Sequence, residues 1–329
     1  MSTMSKRERL EATINGAAVD RPPVALWRHW PVDDQFGDEL ARASLTFQET
    51  FDFDIIKVTP SSNFCVEGYG ATTSWLGNLE GTRAWGPRII QTPEDWEQLK
   101  PLDPTQGLLG EVVEANRLIG QSVGEDIPFI QTIFNPLSQA KNLVGERLLS
   151  DIRQHPDAIK AGLATITESI IRFIEALKPT GAAGIFLALQ HASHDRLTEA
   201  EYREFCYDLD MQILAATEGM WFNLIHLHGV NVMFDMVAGY PAHAINWHDV
   251  ETPPSLGEAK TRTQMALCGG LRQWETMVRG TPADVMAEAK TAIEATDGQG
   301  FILGTGCVTP IVAPTANILA ARKAVDAYA

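Results

Sequence analysis

Two histidines one residue apart close an apolar run in FNLIHLHGVN, residues 222–231. Side chains in a strand alternate between faces, so His226 and His228 project together from the end of that strand while Leu227 points away. Two imidazoles on one face can share a metal ion. A third donor stands far along the chain in FILGTGCVTP, residues 301–310, where a second apolar run ends in glycine, Cys307 and then proline. A His, His, Cys set suits borderline-soft Zn²⁺, and three protein ligands with one open place is the catalytic arrangement. The competing reading has both imidazoles hydrogen-bonding backbone and Cys307 packed as a small hydrophobe, as free cysteines commonly are. The setting of Cys307 between Gly306 and Val308, where the backbone must turn, favours the donor.

Strands that can position these donors recur along the chain. Apolar runs at 24–27, 54–58, 127–134, 183–189, the histidine strand within 222–231, 242–246, 264–268 and 301–304 read as eight strands. Helical patterns fall at 5–15, 38–50, 159–177, 199–220, 233–238, 256–260, 282–295 and 315–328, with Thr281 capping a helix that starts at Pro282. The passage 61–126, with Trp75, Trp85 and Trp96, reads as an elaborated connection containing helices. Alternating strands and helices imply a parallel sheet, and eight of them imply an α/β fold of the closed (β/α)8 TIM barrel type, one domain over 1–329. The other candidate is an open doubly wound sheet, but no Gly-x-Gly-x-x-Gly follows an early strand.

In such a barrel the site lies at the C-terminal ends of the strands. That rim collects Arg28, His29, Ser61, Asn135, Gln190, His191, His226, His228, Asn246, His248, Gly270 and Cys307. Six of the eight histidines lie within or beside it, counting His194, and that clustering argues for catalysis. Arg28 is a candidate fork for a carboxylate, sulfonate or phosphate, with surface packing as its plain alternative. His191 and His248 are candidates to touch substrate or to orient metal ligands, and Asn135, Gln190 and Asn246 to face a cofactor. Glu67 and Asp249 could serve as a fourth ligand or as acid and base. Cys268 reads as core.

Composition limits the function. With 45% hydrophobic and 21% charged residues the chain is ordinary for a globular protein, and a net charge of −16 argues against nucleic-acid or anionic-membrane partners. Four cysteines far apart make a disulfide framework improbable, and the charged N-terminal stretch has no apolar signal core, so a cytoplasmic location is the default.

The opening SKRER … NG … VDRPP, the closing GTGCVTPIVAPTANILAARKAVDAYA, and between them Phe51-x-Phe53-Asp54, Thr92-Pro93-Glu94-Asp95, Phe134-Asn135-Pro136 and Gly269-Gly270-Leu271 make the chain resemble the uroporphyrinogen decarboxylase superfamily. The resemblance covers nearly the whole chain and implies a barrel. Decarboxylases of that superfamily carry an Arg-Gln-Ala-Gly-Arg run, an essential aspartate, a tyrosine and a histidine. Here the first run reads Arg28-His29-Trp30-Pro31, and Ser61, Asn142 and Cys307 stand at the other three positions, while Asn246 replaces a further family aspartate. The zinc-dependent cobamide methyltransferases, similar to methylcobamide:coenzyme M methyltransferase, instead carry His-x-Cys-Gly and Gly-x-Gly-Cys. This chain has His226-Leu227-His228-Gly229 and Gly304-Thr305-Gly306-Cys307, the same pattern with one cysteine exchanged for histidine.

The resemblance therefore implies Zn²⁺ held by His226, His228 and Cys307. It implies methyl transfer between a cobalamin, as co-substrate or on a partner corrinoid protein, and a small thiol or similar acceptor activated on the metal. A small-molecule substrate and a corrinoid protein are the expected partners, with a homodimer left open. The alternatives are a decarboxylase, a zinc hydrolase or lyase using the same donors, and a non-catalytic corrinoid-binding protein.

Overall fold

The computed structural model describes residues 3–328. Seven parallel strands follow in chain order around one curled sheet: β1 (Ile56–Val58), β2 (Phe129–Phe134), β3 (Gly184–Leu189), β4 (Leu224–Leu227), β5 (Ala244–Asn246), β6 (Ala266–Leu271) and β7 (Phe301–Thr305). Each pairs with the next, as the right-handed crossovers of a β/α barrel require.

The eighth position is filled differently from the strand expected at 24–27. Val24 makes a single parallel bridge to Leu303 of β7. Ala25 N–H donates to Leu303 O and Leu303 N–H to Pro23 O, each at 2.9 Å, while on the other side Asp54 N–H donates to Val24 O at 2.9 Å. The segment closes the ring without becoming a ladder. Pro22 and Pro23 bring no N–H, and that of Val24 is taken by Asp54 Oδ2 at 2.8 Å.

Asp54 also anchors the start of the chain. Its buried carboxylate accepts from Arg9 at 2.6 Å and from Arg21 at 2.8 and 3.1 Å, and Arg9 also binds Asp20. Ser5 and Glu8 form a capping box on the helix Lys6–Ile14. The opening motif of the sequence thus builds the floor of the barrel, at the end away from the strand C-termini.

Alternation sorts the barrel interior. Ala25, Ile55, Ile130, Leu224, Ala244, Ala266 and Ile302 pack one inner layer, and Trp27, Phe186 and Cys268 lie in the same inner cluster nearer the mouth. Cys268 is fully buried, as core.

Boundaries shift where local chemistry intervenes. The strand expected to stop at Cys268 continues through Gly269 and Gly270 to Leu271. The helix expected over 199–220 runs as Glu199–Tyr202, a π-turn at Arg203–Tyr207 and Asp208–Ala216. The elaborated connection holds a short hairpin, Thr73–Ser74 with Ala84–Trp85, and the helix Gly107–Val123. Among the described residues, no helix is long and apolar enough to cross a membrane.

Candidate metal centre

β4 delivers His226, buried at 3% exposure, and His228 follows just beyond the strand end. The loop after β5 supplies His248 and the loop after β7 supplies Cys307. One donor atom from each of these four residues lies within 4.8 Å of all the others. His226 Nε2 is 3.5 Å from His228 Nδ1, which is 3.7 Å from Cys307 Sγ. Tetrahedral zinc with bonds of about 2.0–2.1 Å to nitrogen and about 2.3 Å to sulfur sets donors about 3.3 to 3.6 Å apart, close to this spacing.

Hydrogen bonds select the donor nitrogens. Asn246 Nδ2 donates to Cys268 O at 2.8 Å and Thr305 O at 3.1 Å, which turns its Oδ1 toward His226 Nδ1 at 2.7 Å. An amide oxygen only accepts, so His226 carries its proton on Nδ1 and leaves the Nε2 lone pair for the cluster. The Glu251 carboxylate likewise takes His248 Nδ1–H at 2.9 Å, and His248 Nε2 is buried with no hydrogen-bond partner. A buried nitrogen in that state suits a metal donor.

Gly306 explains how two loops meet here. A Cβ at this position would stand 2.8 Å from His248 Cα and 3.0 Å from Trp247 O, so only glycine lets the Cys307 loop come this close. Trp247, fully buried, fixes the other loop by donating to Pro254 O at 2.9 Å and packing edge-on against Phe234.

The ionisation states suit ligation in part. Burial, with His248 adding, holds His228 down to about 4, and burial with both neighbouring imidazoles holds His226 well below its ordinary value. Both are neutral near pH 7. Burial pushes the Cys307 thiol up to about 12, so it must lose its proton when a metal arrives.

A cavity of about 360 Å³ opens on the cluster from the strand C-termini, and His226, His228 and Cys307 face it. Gln190 and His29 also line it, His29 held down to about 3 by burial and the nearby Lys57. The other expected residues are placed elsewhere. Arg28 stacks on Trp30 with its guanidinium carbon 4.8 Å from the ring centre and borders a separate small cavity with Phe47 and Ser44. Asn135 caps the helix Pro136–Val144 and donates to Asp210, Tyr202 and Cys206, each at 3.1 Å. His191 is buried with Nδ1 unpartnered, held down to about 3 by burial, and does not line the cavity. Asp249 accepts from Gly270 N at 3.0 Å, and Glu67 accepts from Leu108 N at 3.3 Å.

Sequence reasoning missed Lys57, Arg83, Glu80 and Lys141, all of which line the cavity. Lys57 had a signal: in DIIKV it is two residues from both Ile55 and Thr59, so alternation places it with them on the inner face.

Residues 35–328 match the family described as Uroporphyrinogen decarboxylase (URO-D). The chain is similar to the methylcobamide:CoM methyltransferase MtbA of Methanosarcina acetivorans, 20% identical over 97% of this chain and 96% of the relative. It is similar also to the methylcobamide:CoM methyltransferase MtaA of Methanosarcina barkeri, 22% identical over 100% and 99%. Among solved structures, a methyltransferase from Methanosarcina mazei superposes with a TM-score of 0.85 at 21% identity, covering 99% of both chains. A B12-independent methionine synthase from Shewanella superposes at 0.60, 13% identical over 92% and 94%. These likenesses identify the TIM-barrel fold.

Proposed function

The chain belongs to the uroporphyrinogen decarboxylase family, and on that premise we propose that it is a zinc-dependent methyltransferase. It moves a methyl group between a corrinoid, free or on a partner protein, and a small thiol or similar acceptor. The observation that carries this reading is the convergence of His226, His228, His248 and Cys307 with their lone pairs sorted by Asn246 and Glu251. Relatives that match the whole chain are methylcobamide:CoM methyltransferases, which supports corrinoid-linked methyl transfer over decarboxylation.

His226, His228 and Cys307 would hold the ion, and His248 Nε2 would take the remaining place only while no acceptor occupies it. When bound, Zn²⁺ supplies Lewis acidity that lowers the pKa of a coordinated thiol into the neutral range. The chain's own residues do the rest. Asn246 keeps His226 in one tautomer, Glu251 keeps His248 in one, and the acceptor enters from the cavity, which three of the donors line. A single thiolate among the donors offsets less of the ion's charge than two would, so oxygen acceptors are admitted beside thiols. A hydrolase with the same donors would need a base at the cavity; neither Asp249 nor Glu67 lines it, and the Glu80 carboxylate that does accepts a hydrogen bond from Gln273 at 3.0 Å.

The test starts with elemental analysis of untagged protein purified without chelator. About one zinc per chain, lost in His228→Ala and Cys307→Ser, is expected. Addition of methylcobalamin and a panel of thiols should then bleach the methylcobalamin spectrum. Metal-free protein, or no spectral change with any thiol, overturns the reading.

A further inference from the structure

β1 carries one charged residue, and it points into the barrel. Lys57 lies with its ammonium 4.4 Å from the Phe186 ring centre and 5.7 Å from that of Trp27. Its hydrogen bond is to Thr59 Oγ1, long at 3.3 Å, and it makes no ion pair among the described residues. An ammonium in such surroundings is costly unless an anion completes it. Its half-buried head opens into the same cavity that His226, His228 and Cys307 face.

Two further cations line that cavity, and both already have carboxylate neighbours: Arg83 lies 3.8 Å from Asp34, and Lys141 lies 3.7 Å from Glu146. The one carboxylate in the lining, Glu80, accepts from Gln273 at 3.0 Å. In a chain of net charge −16, the cavity is a cationic pit with Lys57 as its unsatisfied member.

The position also limits reach. Phe186, which holds the Lys57 ammonium at 4.4 Å, stacks on His226 at 5.3 Å and 24°, so the ammonium and the imidazole are less than about 10 Å apart. We propose that Lys57 is the specificity-determining residue for the acceptor, binding the single anionic group of a short acid whose other end reaches the His/Cys cluster. A metal on Nε2 would lie about 3 Å beyond the ring centre, so the span is at most about 13 Å; allowing about 3 Å for the ion pair and about 2.3 Å at the metal leaves about 8 Å, a spacer of no more than roughly five carbons. The mention of an acceptor rests on the methyl-transfer reading, but the anion site itself does not. Burial also holds Lys57 down to about 7, as expected of an ammonium awaiting a counter-ion.

Two experiments keep this inference separable from the metal reading. On metal-free protein, propionate and ethanesulfonate are titrated against wild type, Lys57→Met, Arg83→Met and Lys141→Met by calorimetry, with 1-propanol as the neutral control. Saturable binding of one or both anions to wild type, weakened about tenfold or more in Lys57→Met and less in the other two, supports the site whether or not the protein holds zinc. The two anions distinguish a carboxylate from a sulfonate. On metal-loaded protein, 3-mercaptopropionate should bind at least about tenfold more tightly than 3-mercapto-1-propanol, and Lys57→Met should remove that preference by weakening only the acid. Circular dichroism and unchanged metal content verify that Lys57→Met is folded. Absence of anion binding to wild type, or equal binding by Lys57→Met, overturns the proposal.

Discussion

His226 and Asn246 are register partners on adjacent parallel strands, joined side chain to side chain at 2.7 Å. The amide is locked by two carbonyls, so the contact fixes a tautomer as well as a ring orientation. Asn246→Ala should leave the barrel folded and weaken zinc about 10–100-fold, measured by competition with a chromophoric chelator. Unchanged affinity would mean that His226 does not bind through Nε2.

Metal uptake should be pH-linked through one group. With His226 and His228 held below their ordinary range and Cys307 pushed up to about 12, the thiol is the group that must deprotonate at pH 7. Binding should release about one proton, and apparent affinity should rise about tenfold per pH unit near neutrality. Below about pH 4 His228 protonates and the dependence steepens. Calorimetry in buffers of different ionisation enthalpy counts the protons, and Cys307→Ser should lose the release together with most of the affinity. A count of zero in wild type would contradict the assignment.

Gly306→Ala is a conservative change on paper and a severe one in place. Its methyl would collide with the Trp247–His248 backbone, so the Cys307 loop must retreat. A stability loss of about 1–3 kcal/mol and a larger proportional loss of zinc are expected. Retention of full metal affinity would show that the loops need not approach this closely.

The floor network should be stiffer to mutation than any surface pair. Asp54→Asn leaves Arg9 and Arg21 buried without a full counter-charge and should cost about 3–5 kcal/mol in urea unfolding. Asp52→Asn breaks contacts to Lys6 and Arg322, but Asp52 is 62% exposed, and the cost should be about 0–1 kcal/mol. Equal costs would remove the argument that Asp54 ties the N-terminal segment to the barrel.

Lys57 makes a stability prediction of its own. Burial holds it down to about 7, so between pH 7 and its ordinary 10.5 the unfolded chain binds more protons than the folded one. Stability contributed through this residue therefore rises with pH across that window, and is lowest below pH 7 where the ammonium stays charged. Lys57→Met should melt higher than wild type at pH 7, by roughly 2–4 °C for each kcal/mol of relieved burial, and the gap should close toward pH 10. A gap that widens with pH contradicts the assignment.

Alternation along strands made most of this architecture readable. Seven of the eight expected strands form ladders within a few residues of their expected bounds, because each apolar run ends in polar rim residues. The same rule, applied to the first run, separates Arg28 from Trp27 and His29: the latter two line the cavity and Arg28 does not. The chemistry of Arg28 suits a substrate fork, but its parity turns it toward Trp30 and away from the cavity. Lys57 obeys the same parity, and the inner face of a closed barrel near its mouth, where it lies, is neither solvent nor core. Asn135 was read from its place at a strand end, but its amide is consumed by the buried Asp210 carboxylate, a contact across 75 positions that no local pattern encodes. His248 stood at the rim in sequence; its membership of the donor set depends on how closely Gly306 lets two loops approach.

The seam between Val24 and Leu303 has a consequence for how the chain comes to be folded. Closure joins residues near the two ends, so the ring cannot complete until the last strand has left the ribosome. Until then β6 and the Val24 segment are bare edges, able to pair with other chains. Contacts so distant in sequence also form slowly. A chain truncated before Phe301 should therefore be prone to aggregation in vivo while retaining most of its helices, and Asp54, already bonded to Val24 N–H, holds the first stave in place for the last one to meet.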